Sequence, residues 1–143
     1  MKPFEYYQEI GEIRETNFNQ KEYESLINDA KKRYVFFSNL NIDRINAKFV
    51  FENLYEAIRE LLDAILLKNN LKSYSHQANI SYAKEKKILN QKDSIILDEL
   101  RDKRNKSKYY GFSFEIKELI EKINEAKRIY NLILKYIEEL DKK

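Results

Sequence analysis

The chain has 143 residues, 43% apolar and 13% aromatic, with two glycines, one proline and no cysteine. That length suits one domain with a core of real size. So few turn-formers argue for long helices over a β-sandwich or barrel, and the lack of thiols excludes a disulfide framework or a thiolate metal site. No run of about 18 uncharged apolar residues is present and no basic–apolar leader opens the sequence, so the expected setting is the cytoplasm, with no membrane span.

Residues 1–16 mix aromatics with charges around Pro3 and Gly11 and read as an irregular or partly helical lead-in. Asn19 with Glu22 has the form of a capping box, with Asn17 and Gln20 as an alternative. Tyr23, Ile27, Ala30, Tyr34 and Phe37 then recur at steps of three and four, which predicts a helix over 19–38. Asn39, Asn41 and Asp43 break the pattern. A second helix, over 42–68, follows from Ala47, Phe51, Leu54, Ile58, Leu61 and Ile65, and ends at Asn69 and Asn70. Residues 71–91 predict a short helix with loops on both sides, carrying Tyr74, Ala78 and Tyr82 on one face. A fourth helix is expected over 93–109, with Ile96, Leu97 and Leu100 in the core and Gly111 as its stop. Ser113 is a candidate cap for the last helix. Its seam runs through Phe112, Ile116, Leu119, Ile123, Ala126, Tyr130, Ile133, Ile137 and Leu140 without a miss. The expected fold is all-α, an up-down bundle of four to five helices in a single domain spanning 1–143.

Charge is unevenly spread. Residues 1–67 carry 9 basic and 12 acidic side chains, residues 68–108 carry 11 and 5, and the remainder carry 7 of each. The middle third is therefore the electropositive part, a feature shared by phosphate-binding surfaces and by lysine-rich solvated faces. Within it, Leu97, Leu100 and Arg104 fall on one helical face, so Arg104 sits on or beside apolar surface. An arginine there is costly unless paired or facing a groove. Arg101, Lys103, Arg104, Lys106 and Lys108 surround Asp102, and Asn105 adds an amide. Taken alone, this is either a phosphate-contacting surface or a helix C-terminus whose cations complement its dipole. Glu99 and Lys103 form an i,i+4 pair. Tyr23, Tyr34, Phe51 and Tyr130 lie on core seams, which leaves Tyr109 and Tyr110 as the aromatics beside the basic cluster.

The run RNKSKYYG, from Arg104 through Gly111, resembles the signature of the HEPN family, the higher eukaryotes and prokaryotes nucleotide-binding domain. LYEAIRELLDAILL at 54–67, KSYSHQ at 72–77, LDELRDKRN at 97–105 and the lead-in GEIRETNF at 11–18 resemble an archaeal or bacterial branch of the same family. In that signature an arginine, usually followed by a polar residue, precedes a histidine after a short spacer. Arg104 and Asn105 match, and tyrosines stand where the histidine would fall. The resemblance implies a helical bundle that dimerises and brings two motifs into one groove. It also implies either a metal-independent ribonuclease, often a toxin paired with a nucleotidyltransferase, or an accessory module that binds RNA or nucleotide.

Metal-free RNA cleavage needs proton transfer near working pH and a cation on the transition-state phosphate. Histidine suits the first role and arginine the second. Tyrosine, with a reference pKa of about 10, is a poor base at neutral pH. The expectation is therefore a non-catalytic or weakly active HEPN-like homodimer that binds RNA, a nucleotide or a nucleotidyltransferase partner, as in toxin–antitoxin modules, with no cofactor and no metal. Arg101, Lys103, Arg104, Lys106, Lys108 and Tyr110 would form the binding surface. The alternative is an active ribonuclease using Arg104, Asn105 and Tyr109. His76, the lone histidine, reads as a surface or capping residue.

Overall fold

The computed structural model describes residues 1–109 and 114–142, Tyr109 by its backbone alone. In chain order these form α1 (Phe4–Glu9), β1 (Ile13–Glu15), α2 (Gln20–Ser38), α3 (Ala47–Lys68), β2 (Leu71–Ser73), α4 (His76–Glu85), α5 (Gln91–Tyr109) and α6 (Ile116–Asp141). The chain is thus helical as expected, with five longer helices and the short α1 in the partly helical lead-in. It departs from that expectation in a two-stranded sheet. Among the described residues no helix is long and apolar enough to cross a membrane.

Local chemistry sets the boundaries. The Asn19 side chain accepts from the Glu22 N–H at 2.9 Å and starts α2, a typical N-cap bond. α3 starts at Ala47, the first residue of the apolar spacing, and later than the expected boundary at 42. Asp43 Oδ1 accepts from the N–H groups of Ile45 and Asn46 at 2.9 and 2.8 Å. The Asp43 N–H donates back to Asn46 Oδ1 at 2.9 Å, and the Ala47 N–H donates to the Asp43 carbonyl at 3.0 Å, so residues 43–46 form a capped turn that leads into α3. Asn70 has φ of 60° and turns the chain from α3 into β2, as asparagine tolerates. The Ser75 hydroxyl accepts from the Ala78 N–H at 3.3 Å and caps α4. The expected stop at Gly111, the expected cap at Ser113 and the first seam residue Phe112 lie outside the described residues. Glu115 stands at the N-cap of α6, with no side-chain capping bond.

β1 and β2 pair antiparallel, with Ile13 opposite Ser73, Arg14 opposite Lys72 and Glu15 opposite Leu71. Gly11, at φ of 77°, makes the turn from α1 into β1, a conformation open to glycine at little cost. Tyr74, expected to share a helical face with Ala78 and Tyr82, follows β2 and is exposed, whereas the other two are buried.

The core is one cluster centred on α3, whose Ala47, Val50, Phe51, Leu54, Ile58, Leu61 and Ile65 are all buried. α2 runs antiparallel to α3. Along α2, Tyr34 stacks on Tyr130 of α6 with ring centroids 4.0 Å apart. The Tyr23 hydroxyl donates to Asp141 Oδ1 at 2.8 Å and ties the start of α2 to the end of α6. Leu97 and Leu100 are fully buried. They seat α5 on this core and so fix the height and rotation of the residue one turn on, Arg104.

Candidate functional site

Arg104 is 4% exposed. Its Nη2 reaches Glu56 Oε2 of α3 at 3.3 Å, and its guanidinium carbon lies 5.5 Å from the centre of the Tyr55 ring. Asn105 Oδ1 accepts a long bond from Arg104 Nη1 at 3.4 Å. The arginine expected beside the apolar face is therefore buried on it, held by a carboxylate, an amide and an aromatic ring.

Glu56 anchors a row of charges along α3. Arg59 Nε donates to Glu56 Oε1 at 3.0 Å, and its Nη1 donates to Asp63 Oδ2 at 2.7 Å. Asp63 Oδ1 also accepts from Asn79 Nδ2 of α4 at 2.8 Å. Arg33 of α2 donates to Glu60 at 2.9 Å and to Asn53 Oδ1 at 2.7 Å. Burial pushes the Glu56 carboxyl up, but the hydrogen bond and charge of Arg59, with Arg104 and Arg33, outweigh it and hold the group below its ordinary value. Burial raises the Glu60 and Asp63 carboxyls despite their arginine neighbours. The Tyr55 phenol is held far above its usual range, chiefly by burial.

An open cleft of about 510 Å³ lies over Arg104. Its lining combines Arg104 and Lys108 of α5, Arg33 of α2, and Lys48, Phe49, Glu52, Asn53 and Glu56 of α3. Four cations face two carboxylates, so the cleft is net positive and favours anions. An arginine at its base presents a planar, permanently charged set of donors suited to phosphate oxygens.

The predicted binding residues do not converge. Arg101 pairs with Asp98 at 2.9 Å, Lys106 pairs with Asp102 at 2.9 Å on the exposed side of α5, and Lys103 pairs with Glu118 of α6. The expected Glu99–Lys103 pair is thereby replaced by a contact between helices. At 100° per residue, Lys103 and Lys106 point well away from Arg104, whereas Arg101 and Lys108 share its side, and of these two Lys108 lines the cleft. The Tyr109 side chain and all of Tyr110 lie outside the described residues. Arg33, Lys48, Phe49, Glu52, Asn53 and Glu56 were not foreseen. Their signal was present in α3, where positions 49, 52, 53, 56 and 60 form a second stripe beside the apolar seam. Phe49 in particular adds an exposed aromatic next to the basic cluster, a place that the sequence reading reserved for Tyr109 and Tyr110.

His76 is partly buried, and the capping role at this helix start falls to Ser75. His76 opens α4 with its ring centre 6.0 Å from that of Tyr55. Burial, reinforced by the positive charges of Arg59, Arg104 and Arg101, lowers its pKa from 6.5 to about 4. The unfolded chain therefore takes up a proton that the folded chain refuses between those values, and stability is lost as pH falls through that window. Urea midpoints should fall between about pH 7 and about pH 5 in the native chain and fall less in His76→Gln. Equal falls in both would rule out His76 as the source.

No family model matches the chain, and no curated protein sequence matches it.

Proposed function

We propose that the chain is a HEPN-like module that binds RNA through phosphate contacts in the Arg104 cleft and has little or no nuclease activity. The observation that carries this reading is an almost completely buried arginine at the base of a net-positive cleft. Glu56 offsets part of the cost of burying that charge, and the place of Arg104 in the lining of an open, net-positive cleft supports a role in anion binding. The cations Arg33, Lys48 and Lys108 around it supply the electrostatic attraction that dominates nucleic-acid affinity.

The chemistry for cleavage is weaker than the chemistry for binding. Among the described residues no histidine lines the cleft. His76, held at a pKa of about 4, is neutral at working pH but a feeble base, far from the match to pH that proton transfer rewards. The reading extends to a homodimer and to a nucleotidyltransferase partner, which rest on the resemblance of 54–67, 72–77 and 97–111 to the family.

Incubation of the purified chain with a mixed RNA pool, in the presence of a chelator, tests both halves. The expected result is retention of RNA on the protein with no shortening of the pool. Cleavage that survives the chelator and vanishes in Arg104→Met would instead make this a metal-independent ribonuclease. Failure to retain RNA would refute the reading itself.

A further inference from the structure

Phe49 is 55% exposed, although its α3 neighbours Ala47, Val50 and Phe51 are fully buried. Among the described residues it is not part of the core cluster or of the apolar side chains packed against it, and it lines the cleft together with Arg104 and Lys108. The Lys48 ammonium lies 5.9 Å from its ring centre, and the Asn53 amide donates to the Phe49 carbonyl at 2.8 Å. Glu52 lies three residues along the same face and also lines the cleft. One short groove thus offers an exposed aromatic face, an acceptor carboxylate and cations.

We propose that Phe49 is a stacking platform for an unpaired base, so that the cleft takes single-stranded RNA rather than a duplex. This rests on the reading of the Arg104 cleft as an RNA site and specifies which RNA it takes. The division of labour follows from the lining. A base offers a π-face to the phenyl ring, and stacking of this kind is tolerant of sequence. The Glu52 carboxylate accepts from an exocyclic amine or a ribose hydroxyl and repels a phosphate, which directs the phosphate to the Arg104 and Lys108 side of the cleft. In a duplex the base faces are already stacked on one another, and sequence-reading proteins accordingly address unpaired RNA. Charge complementarity selects a polyanion over an uncharged apolar partner for this patch, even though Phe49 is itself apolar.

The test is fluorescence anisotropy of the full chain with a labelled short unpaired RNA and with the matching blunt duplex. Native protein is compared with Phe49→Ala, Phe49→Leu, Phe49→Tyr and Lys108→Ala. Phe49 is a surface residue, so these variants leave the core untouched. The proposal expects tighter binding of the single strand. It expects a loss of roughly 5- to 150-fold in Phe49→Ala, as for removal of one stacked base. Phe49→Leu should lose nearly as much, and Phe49→Tyr should stay near native affinity. Equal binding of duplex and single strand overturns the proposal, as does retention of full affinity by Phe49→Leu. If the Phe49 variants bind normally while Lys108→Ala binds weakly, stacking is wrong but the cleft stands. If neither change matters, the cleft reading fails as well. A halved solution mass in Phe49→Ala with unchanged RNA affinity would make Phe49 a contact between copies of the chain, which also overturns the proposal.

Discussion

Arg104→Met should abolish most RNA binding while leaving the fold nearly as stable as before. The binding loss comes from removing a planar donor set that no neighbour replaces: Lys108 adds charge at the rim, but not a fork at the base of the cleft. Truncating a buried, hydrogen-bonded charge that meets a ligand charge costs about 2–5 kcal/mol, or about 30-fold or more in affinity. Stability behaves differently. Methionine fills similar volume beside Leu97, Leu100 and Tyr55, and removing one member of a buried ion pair is costly chiefly where it leaves the other charge uncompensated. Glu56 is not stranded, because Arg59 Nε still donates to it at 3.0 Å. The expected change in unfolding free energy is therefore within about 1–2 kcal/mol. Arg104→Lys should fall between native and Arg104→Met in binding, since it keeps the charge and loses the bidentate geometry. Filter binding beside thermal melts of the three proteins checks the separation. A variant that loses stability and binding in step would mean that Arg104 is structural.

Leu100→Ala should have the largest effect on stability of any single truncation near the cleft. Leu100 is fully buried, on the turn of α5 just before Arg104. Removing its branched end costs the lost transfer energy plus the cavity left behind, about 2–5 kcal/mol. For a chain of this size that corresponds to a fall in Tm on the order of 10 °C. Lys106→Ala, half-exposed on the other side of the same helix and paired with Asp102, should change stability by less than about 0.5 kcal/mol. The contrast measures how firmly α5 is seated, and hence how fixed Arg104 is over α3. A Leu100→Ala protein as stable as Lys106→Ala would show that α5 is not clamped by the core.

Much of this architecture was readable along the chain because its helices are long and their apolar steps regular. The seam of α6 from Ile116 to Ile137 and that of α3 from Ala47 to Ile65 place buried side chains where the spacing puts them. The two-stranded sheet was not readable. Each strand has three residues, too short for an alternation to register, and its partner lies nearly sixty positions away. The expected start of α3 was a few residues early because residues 43–46 form a turn capped by the Asp43 side chain, and regular helix begins only after it, at Ala47. Arg104 was legible as an arginine on an apolar face. The rest of the cleft was not, because Arg33, Lys48, Phe49 and Glu52 reach it from α2 and α3, and only the antiparallel packing of α2 and α3, together with the seating of α5, brings those stripes together. Conversely, Lys103 and Lys106 are adjacent to Arg104 in sequence but are turned by the helix toward Glu118 and Asp102, and Arg101, on the same side as Arg104, pairs with Asp98. Proximity along a helix is a poor guide to convergence at a site.

The most direct measurement of the central claim is the salt dependence of RNA binding for native protein, Arg104→Met and Lys106→Ala. Each phosphate neutralised contributes about 0.7 to the slope of log affinity against log salt for single strands. If the Arg104 cleft is the RNA site, Arg104→Met binds weakly with a slope shallower by about that amount, and Lys106→Ala keeps the native line. If Arg104→Met keeps the native affinity and slope, or if the native chain binds no RNA at low salt, the cleft is not an RNA site.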